Sequence, residues 1–338
     1  MIKKKLMNIG IIGLGVGAHH IKAFEKNKYT NITSICDFNK NTLKNFRKIY
    51  PNVKASLNSN DIFEDRSIEL VSIASNDDYH FEHILQAIKY NKHIFVEKPI
   101  CLNQIQLSKI VTLLNKKPNI KISSNMVLRV SPRFNLLKKM ILKKSFKDIY
   151  YIESDYFWGR AHKLKGWRSK IDEYSIILGA SIHLIDLTIW LLDKKPTHVL
   201  SVANRIGASS EMIKSETFSS INLFFDNGLI VKINAHGLCV HPHFHSLKLY
   251  SKNKSFIHQY DDSFIINENK ANPIIDVNLP YPFKDNRHLI IDKFVDNVIS
   301  EKNDLSLVTF KDICNSMAIS FSAIQSVKLN KKVKIRYY

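Results

Sequence analysis

Several things are scarce or missing in this chain, and each absence removes a class of answer. Its four cysteines, Cys36, Cys101, Cys239 and Cys314, lie far apart, with no CxxC pair and no ladder of regular spacings. That excludes a disulfide framework and a cysteine zinc knuckle, and it reads as buried thiols kept reduced in the cytoplasm. No uninterrupted hydrophobic run is long enough to span a bilayer. The longest apolar stretch, SIILGASIHLIDLTIWLL from Ser175, carries His183 and Asp186, which a lipid-embedded helix would hold only at a cost of several kcal/mol. Internal repeats, low-complexity tracts and a Pro/Gly-rich linker are also missing. Acidic residues are few, 30 against 50 Lys and Arg, for a net charge of +20. Such a balance raises nucleic acid as a partner, but the lysines are scattered along the whole chain and no nucleic-acid motif accompanies them. The reading is a solvated basic surface, no nucleic-acid or membrane partner, and a weak bias toward anionic substrates.

What is present is a chain of 338 residues, 45% hydrophobic, enough for two domains that each bury a core. Before residue 125 short apolar runs alternate with helical patterns: NIGIIG and a helix from about Ala18, ITSICD and a helix from about Asn41, ELVSIAS and HFEHILQAIKY, HIFVE and QIQLSKIVTLLN, then IKISSN. Strands spaced by helices of this length predict a parallel sheet wrapped on both faces. Beyond a helix at about 132–143, period-two segments such as INLFF, LIVKINA and HSLKLYS predict a mostly antiparallel sheet with a few helices. FFDNGLIVK reads as a hairpin, with Asn227 and Gly228 both taking positive φ. The expected domains are 1–125 and 126–338.

The first chemical motif is GIIGLGVGAHH. Gly13, Gly15 and Ala18 have GxGxxA spacing between a strand and a helix, and Gly17 adds room, so a dinucleotide pyrophosphate can lie against bare backbone at a helix N-terminus. Alone the pattern equally suits a strand that turns into a helix through glycines for structural reasons. Asp37, ending the second strand about 20 residues on, adds the carboxylate that binds adenosine ribose hydroxyls and repels a 2′-phosphate, favouring NAD over NADP. The opening MIKKKLMNIGIIGLGVGA imitates a secretory leader, but cleaving it would remove the first strand of this motif.

The second motif is HIFVEKPI, in which a strand runs into Glu97, Lys98 and Pro99. Ligands of open parallel sheets collect at the carboxyl ends of strands, and Pro99 restricts Lys98 to extended backbone, which aims its ammonium. A surface ion pair ahead of a helix is the competing reading, and the glycine loop tips the balance toward a site.

These residues make the chain resemble the glucose-fructose oxidoreductase / inositol dehydrogenase family, Gfo/Idh/MocA, over essentially its whole length. GLGVGAHH matches the family's glycine loop, with His20 at its histidine. ASNDDYH resembles the strand-four loop, keeping Ala74, Ser75 and His80 but with Asn76 and Asp77 at the positions of a proline and an asparagine. NKHIFVEKPI matches the Glu-Lys-Pro signature, NMVLRVSPRF the exit from the first domain, GWRS a Trp-Arg pair, and IHLIDLTIWLL the histidine helix. The resemblance implies an α/β fold: an N-terminal Rossmann parallel sheet, and a C-terminal α/β domain with a large, mostly antiparallel open-faced sheet that forms a homodimer or homotetramer. It implies NAD held by Gly13, Gly15, Val16, Gly17, Asp37, Ser75, Asn76, His80, Glu97 and Lys98. It also implies hydride transfer between a sugar carbon and nicotinamide, with Lys98 holding the reacting oxygen and His183 taking the hydroxyl proton. A lone His on an apolar helix is more often core than catalyst; Asp186, three residues on along the same face, is expected to orient it.

Where many relatives carry an aspartate four residues before this histidine, the present chain has Gly179, and the expectation is a gap that the substrate fills. Arg160, Lys163, Trp167, Arg168 and Tyr174 precede the histidine helix and are candidate contacts for a polar or anionic sugar, although Trp167 suits a structural role as well. In HGLCVHPHFH, His241, His243 and His245 are expected to share a strand face; without carboxylate or Cys partners they do not make a metal site, and none is assigned. The resulting expectation is an NAD-dependent dehydrogenase of a sugar, best guessed as a nucleotide-linked or amino sugar of surface-glycan biosynthesis. The alternatives are a glycosidase that keeps its NAD bound and a catalytically silent sensor. Sensors tend to lose the signature lysine, which this chain retains.

Overall fold

The computed structural model describes residues 6–172, 174–208, 213–268, 274–281 and 288–338. These form two compact units, one reaching Met126 and taking in the chain that ends at Ile313, the other starting at Val127 and including everything from Cys314 on.

In the first unit, β1 (Met7–Ile12), α1 (Gly17–Lys26), β2 (Thr30–Cys36), α2 (Lys40–Ile49), β3 (Lys54–Ser56), α3 (Asn60–Glu64), β4 (Leu70–Ile73), α4 (His80–Lys89), β5 (His93–Val96), α5 (Gln104–Asn115) and β6 (Ile122–Ser124) alternate along the chain. The six strands pair in parallel in the order β3-β2-β1-β4-β5-β6. Ile9, Ile11, Leu70, Val71, Ile73, Ile94, Phe95 and Val96 are all 0% exposed, as strands covered on both faces require. Each such side chain contributes roughly 1.5–3 kcal/mol by leaving water. α2 and α5 start where short polar side chains cap them: Asn39 accepts from the Asn41 and Thr42 N–H groups, and Asn103 from Gln106 N–H. The strand order reverses between β1 and β4, the switch point at which open sheets of this kind bind ligands.

The second unit contains α6 (Pro132–Leu142), β7 (Tyr151–Phe157), α7 (Ala161–Lys165), α8 (Ile182–Leu192), β8 (His198–Asn204), β9 (Phe218–Phe224), β10 (Ile230–His236), β11 (Phe244–Tyr250), β12 (Lys254–His258), β13 (Ser263–Asn267) and β14 (Ile274–Asp276). α9 (His288–Ser300), α10 (Phe310–Leu329) and β15 (Val333–Lys334) come next in the chain. The sheet has nine strands, β14-β13-β12-β11-β7-β10-β9-β8-β15, all antiparallel neighbours except the parallel pair β7–β10. α8 is mostly apolar and buried almost throughout. Lys138 of α6 donates to the Trp190 carbonyl at 2.6 Å, a cation placed at the C-terminal end of α8 where the backbone dipole favours it.

Two local expectations need correction. The stretch from α9 to Ile313 belongs with the first unit and not with a domain 126–338. There, Asp292 accepts from Asn27 Nδ2 at 2.7 Å, Lys121 Nζ donates to the Asn297 carbonyl at 2.6 Å, and the Phe294 ring lies 5.9 Å from Phe95. The β9–β10 hairpin forms, but only Gly228 has positive φ, +82°. Phe225 N–H donates to the Leu229 carbonyl, so the loop has three residues with glycine in the left-handed position and is not a two-residue turn.

Candidate active site

In the first unit the glycine loop is shaped by what surrounds each glycine. Gly13 has φ +87°, and a Cβ there would overlap the Ala74 carbonyl and stand 2.6 Å from Ser75 N. Gly17 packs closely, its would-be Cβ 3.4 Å from Ala74 Cβ and Ile11 Cγ2, whereas at Gly15 nothing lies within 4 Å. The loop is thus locked to β4 at one end, packed at the other, and bare in the middle, where it meets the N-terminus of α1. Val16, beside the bare point, is 44% exposed. Backbone N–H groups at a helix start with open space above them fit a pyrophosphate. Asp37, 8% exposed, accepts from Leu14 N–H through Oδ2 and from Asn39 N–H through Oδ1, both at 2.8 Å. One carboxylate therefore fixes the glycine loop and the entry to α2, and each oxygen retains a further lone pair.

The β4 and β5 exits are tied together. His80 is fully buried, with Nδ1 2.7 Å from the Pro99 carbonyl and Nε2 3.0 Å from the Ser75 carbonyl. Both His80 ring nitrogens face backbone oxygens, and the ring braces one loop against the other. Ser75 Oγ lies 3.0 Å from His83 Nδ1, and burial, reinforced by His80, pulls His83 down to about 4. Asn76 leads into a tight turn at Asp77–Tyr79, its carbonyl accepting from Tyr79 N–H at 3.0 Å.

Beyond β5, Glu97 Oε1 lies 3.1 Å from His20 Nε2 and accepts from Asn125 Nδ2 at 2.6 Å, while His20 Nδ1 meets Ser72 Oγ at 2.9 Å. Burial raises the Glu97 carboxyl, but the His20 and Asn125 bonds and the Lys98 charge outweigh it and hold it down to about 2. Glu97 is consequently an anion beside the Lys98 ammonium, and the Lys98–Pro99 peptide is cis. Ser72 and Asn125 were not foreseen. Ser72 had a signal, since a hydroxyl in the middle of the buried run LVSI needs a partner.

In the second unit His183 sits in the first turn of α8, 8% exposed, with Tyr156 of β7 and His245 of β11 edge-on at ring separations of 6.0 and 6.2 Å. Tyr156 Oη is 2.9 Å from His243 Nε2, and His245 Nδ1 is 2.6 Å from Tyr281 Oη. The histidine run does not share one strand face, which corrects that expectation. Only His245 lies within β11; His243 and His245 both pack on Tyr156, whereas His241 stacks on Phe157, 4.2 Å away on the alternate side of β7. Among the described residues no group of three His, Cys, Asp or Glu is arranged to hold a metal ion.

Of the five substrate candidates, three come together. The Arg168 guanidinium lies 4.0 Å from the Trp167 ring centre and 5.8 Å from that of Tyr174, with Trp158 at 6.0 Å. Arg160 leads into α7 and Lys163 lies within it, both half-buried. Asp186, wholly buried, takes both bonds of the Arg129 fork. The gap expected at Gly179 is filled, because a Cβ there would overlap the Tyr174 hydroxyl.

Two family profiles match the chain, the NAD-binding Rossmann fold of the Gfo/Idh/MocA oxidoreductases over residues 7–125 and the family's C-terminal domain over 134–257. The chain belongs to the Gfo/Idh/MocA family. Among curated members it is 23% identical over 66% of its length to an inositol 2-dehydrogenase/D-chiro-inositol 3-dehydrogenase of Lactiplantibacillus plantarum. It is 27% identical over 55% of its length to a glucose-6-phosphate 3-dehydrogenase of Bacillus subtilis. These alignments take in 65% and 54% of the relatives, so the chain spans about two thirds of their length or less. The fold is shared with scyllo-inositol dehydrogenase from Lactobacillus casei, solved with NAD(H) and scyllo-inositol bound, at a TM-score of 0.81 and 18% identity over 98% of this chain and 99% of that one. NAD is accordingly the cofactor of the family fold, and the bare backbone at Gly15 fits it.

Proposed function

We propose that the protein is an NAD-dependent oxidoreductase that moves a hydride between nicotinamide and a hydroxyl-bearing carbon of a sugar or polyol. The observation that carries this reading is the pairing of a bare glycine loop with an ionised Glu97 next to Lys98, on loops that His80 braces together. NAD supplies the hydride acceptor. Gly13, Gly15, Val16 and Gly17 cradle the pyrophosphate, Asp37 takes the adenosine ribose, and Ser75, Asn76 and Glu97 line the rest of the dinucleotide site. Lys98 holds the reacting oxygen and stabilises its developing charge, while His183 receives the hydroxyl proton.

Relatives named for inositols and glucose 6-phosphate support a polyol or sugar substrate, and Arg160, Lys163 and Arg168 favour one bearing an anionic group. Within that class we favour a nucleotide-linked or amino sugar of surface-glycan biosynthesis, handled in the cytoplasm. On the half-buried side of β7, Tyr151, Glu153, Asp155 and Phe157 alternate with buried neighbours. Aromatic and charged residues mixed on one sheet face support its being covered by a second copy of the chain. The test of function is NADH formation from a panel of inositols, hexose phosphates and UDP-sugars. Multiple turnovers with one of them support the reading; NADH that never exceeds one equivalent of enzyme would replace it with a glycosidase that retains its cofactor.

A further inference from the structure

Ser72, His20, Glu97 and Asn125, all in the first unit, form one connected line of hydrogen bonds. Ser72 Oγ in β4 meets His20 Nδ1 at 2.9 Å, His20 Nε2 lies 3.1 Å from Glu97 Oε1, and Asn125 Nδ2 donates to that same oxygen at 2.6 Å. Ser72 is 0% and His20 2% exposed, and the His20 ring stands edge-on to Phe95 at 5.3 Å. A carboxylate offers only lone pairs, so the proton between His20 and Glu97 is carried by Nε2. That holds for either charge of the ring: the Ser72 hydroxyl donates to Nδ1 of a neutral imidazole and accepts from it in the imidazolium. Ser72 thus fixes the rotation of the ring, and the ring presents an N–H to Glu97.

The end of the line distinguishes it from ordinary bracing. His80 meets two backbone carbonyls, which carry no net charge and belong to no reacting group. His20 meets the carboxylate that directly precedes Lys98, and the charged and titratable groups facing that carboxylate are His20 from α1 and Lys98 itself. The His20 and Asn125 bonds both fall on Oε1, so two donors from different elements fix how the carboxylate is turned. An anion held in this way favours the charged form of a neighbouring amine. His20 also lies in the first turn of α1, the helix that begins at Gly17, so one short segment carries both the pyrophosphate seat and the Glu97 donor.

We propose that His20 is a positioning residue for Lys98, acting through Glu97: its Nε2–H and the Asn125 amide pin one carboxylate oxygen, and the anion so fixed stabilises the Lys98 ammonium that faces the reacting oxygen. Ser72 holds the ring that does this. The proposal rests on the reading of Lys98 as the group that holds the reacting oxygen, and the experiment separates the two.

The experiment follows the acetylation of Lys98 by acetic anhydride in the free protein across pH, read on its peptide by mass spectrometry, alongside the pH dependence of kcat. His20→Leu removes the donor, His20→Gln returns an amide N–H near the place of Nε2, and Ser72→Ala releases the ring. His20→Leu is expected to lower the Lys98 midpoint by about half to one pH unit and kcat by about tenfold or more, the worth of one hydrogen bond to a charged group. NAD affinity should stay within about threefold, because the pyrophosphate contacts are backbone groups of the glycine loop. His20→Gln should recover most of both losses, and Ser72→Ala should give a smaller shift in the same direction. A folded His20→Leu protein with an unmoved Lys98 midpoint would overturn the proposal, whether or not kcat falls, as would a His20→Gln protein no better than His20→Leu. Should His20→Leu not fold, Ser72→Ala decides: a Lys98 midpoint at the wild-type value overturns the proposal. If Lys98→Ala turns over normally, the assignment of Lys98 fails, and the acetylation midpoint still decides whether His20 acts on its ammonium.

Discussion

Arg129 grips Asp186 with both arms of its fork, Nε to one carboxylate oxygen at 2.8 Å and Nη2 to the other at 2.7 Å, and neither side chain is more than 1% exposed. Ser316 Oγ adds a third bond to the same carboxylate at 3.3 Å. The pair joins the turn at Val127–Val130 to α8 and so sets the placement of the helix on which His183 rides.

Breaking this pair leaves a buried charge without its counter-ion. Arg129→Ala or Asp186→Ala is expected to cost about 3–5 kcal/mol in chemical denaturation, whereas replacing both with apolar residues of similar volume should cost much less. Equal losses in the single and double variants would show that the ion pair itself is not what matters.

Asp37 does two jobs, and the variants separate them. Its charge should favour NAD over NADP by at least about 1–3 kcal/mol, because a 2′-phosphate would meet a fixed anion. Asp37→Asn keeps an acceptor for one of the N–H groups of Leu14 and Asn39 but removes the charge. Fluorescence titration should then show the preference narrowed about tenfold or more with NAD binding only modestly weaker. Equal binding of both dinucleotides by the unaltered protein would remove Asp37 from this role.

Glu97 links the site to stability. Its carboxyl is lowered from an ordinary 4.5 to about 2, so its ionised form stabilises the fold above about pH 4.5, and that contribution is lost as pH falls toward 2. The shift corresponds to something on the order of 3 kcal/mol. The stability difference between wild type and Glu97→Gln should be largest near neutrality and shrink on acidification. A difference that is constant with pH would mean that the His20 and Asn125 bonds do not depend on the charge.

Much of this was legible in the chain. The period of the apolar runs marks the parallel sheet because strands buried on both faces tolerate almost nothing but Ile, Val, Leu and Phe, and GxGxxA with Asp37 marks a loop where only small residues fit. Long-range partners were not legible. Asp186 lies three residues from His183 in sequence, yet the cation that claims it comes from Arg129, 57 positions earlier. Likewise α9 reads as part of the second domain because nothing in its own pattern says that Phe294 packs on Phe95. Gly179 showed that something was missing, but a glycine cannot say whose side chain fills its place.

That filling makes Gly179→Asp informative. The added carboxylate collides with Tyr174, so activity should fall at least about tenfold, and Tyr174→Ala in the same chain should restore part of it, since sites in contact do not add. A gain from Gly179→Asp alone would mean that Tyr174 moves aside freely and that the site lacks a group which it could have used.

The measurement that bears most directly on the account is steady-state NADH formation by wild type and Lys98→Ala on whichever polyol or sugar of the panel turns over, with NAD affinity measured for both. Because the pyrophosphate contacts lie on the glycine loop, Lys98→Ala should leave NAD binding within about twofold while cutting kcat by about a hundredfold or more. A folded Lys98→Ala protein that binds NAD and turns over at the wild-type rate would contradict the assignment of Lys98 to the reacting oxygen, and with it the chemistry proposed here.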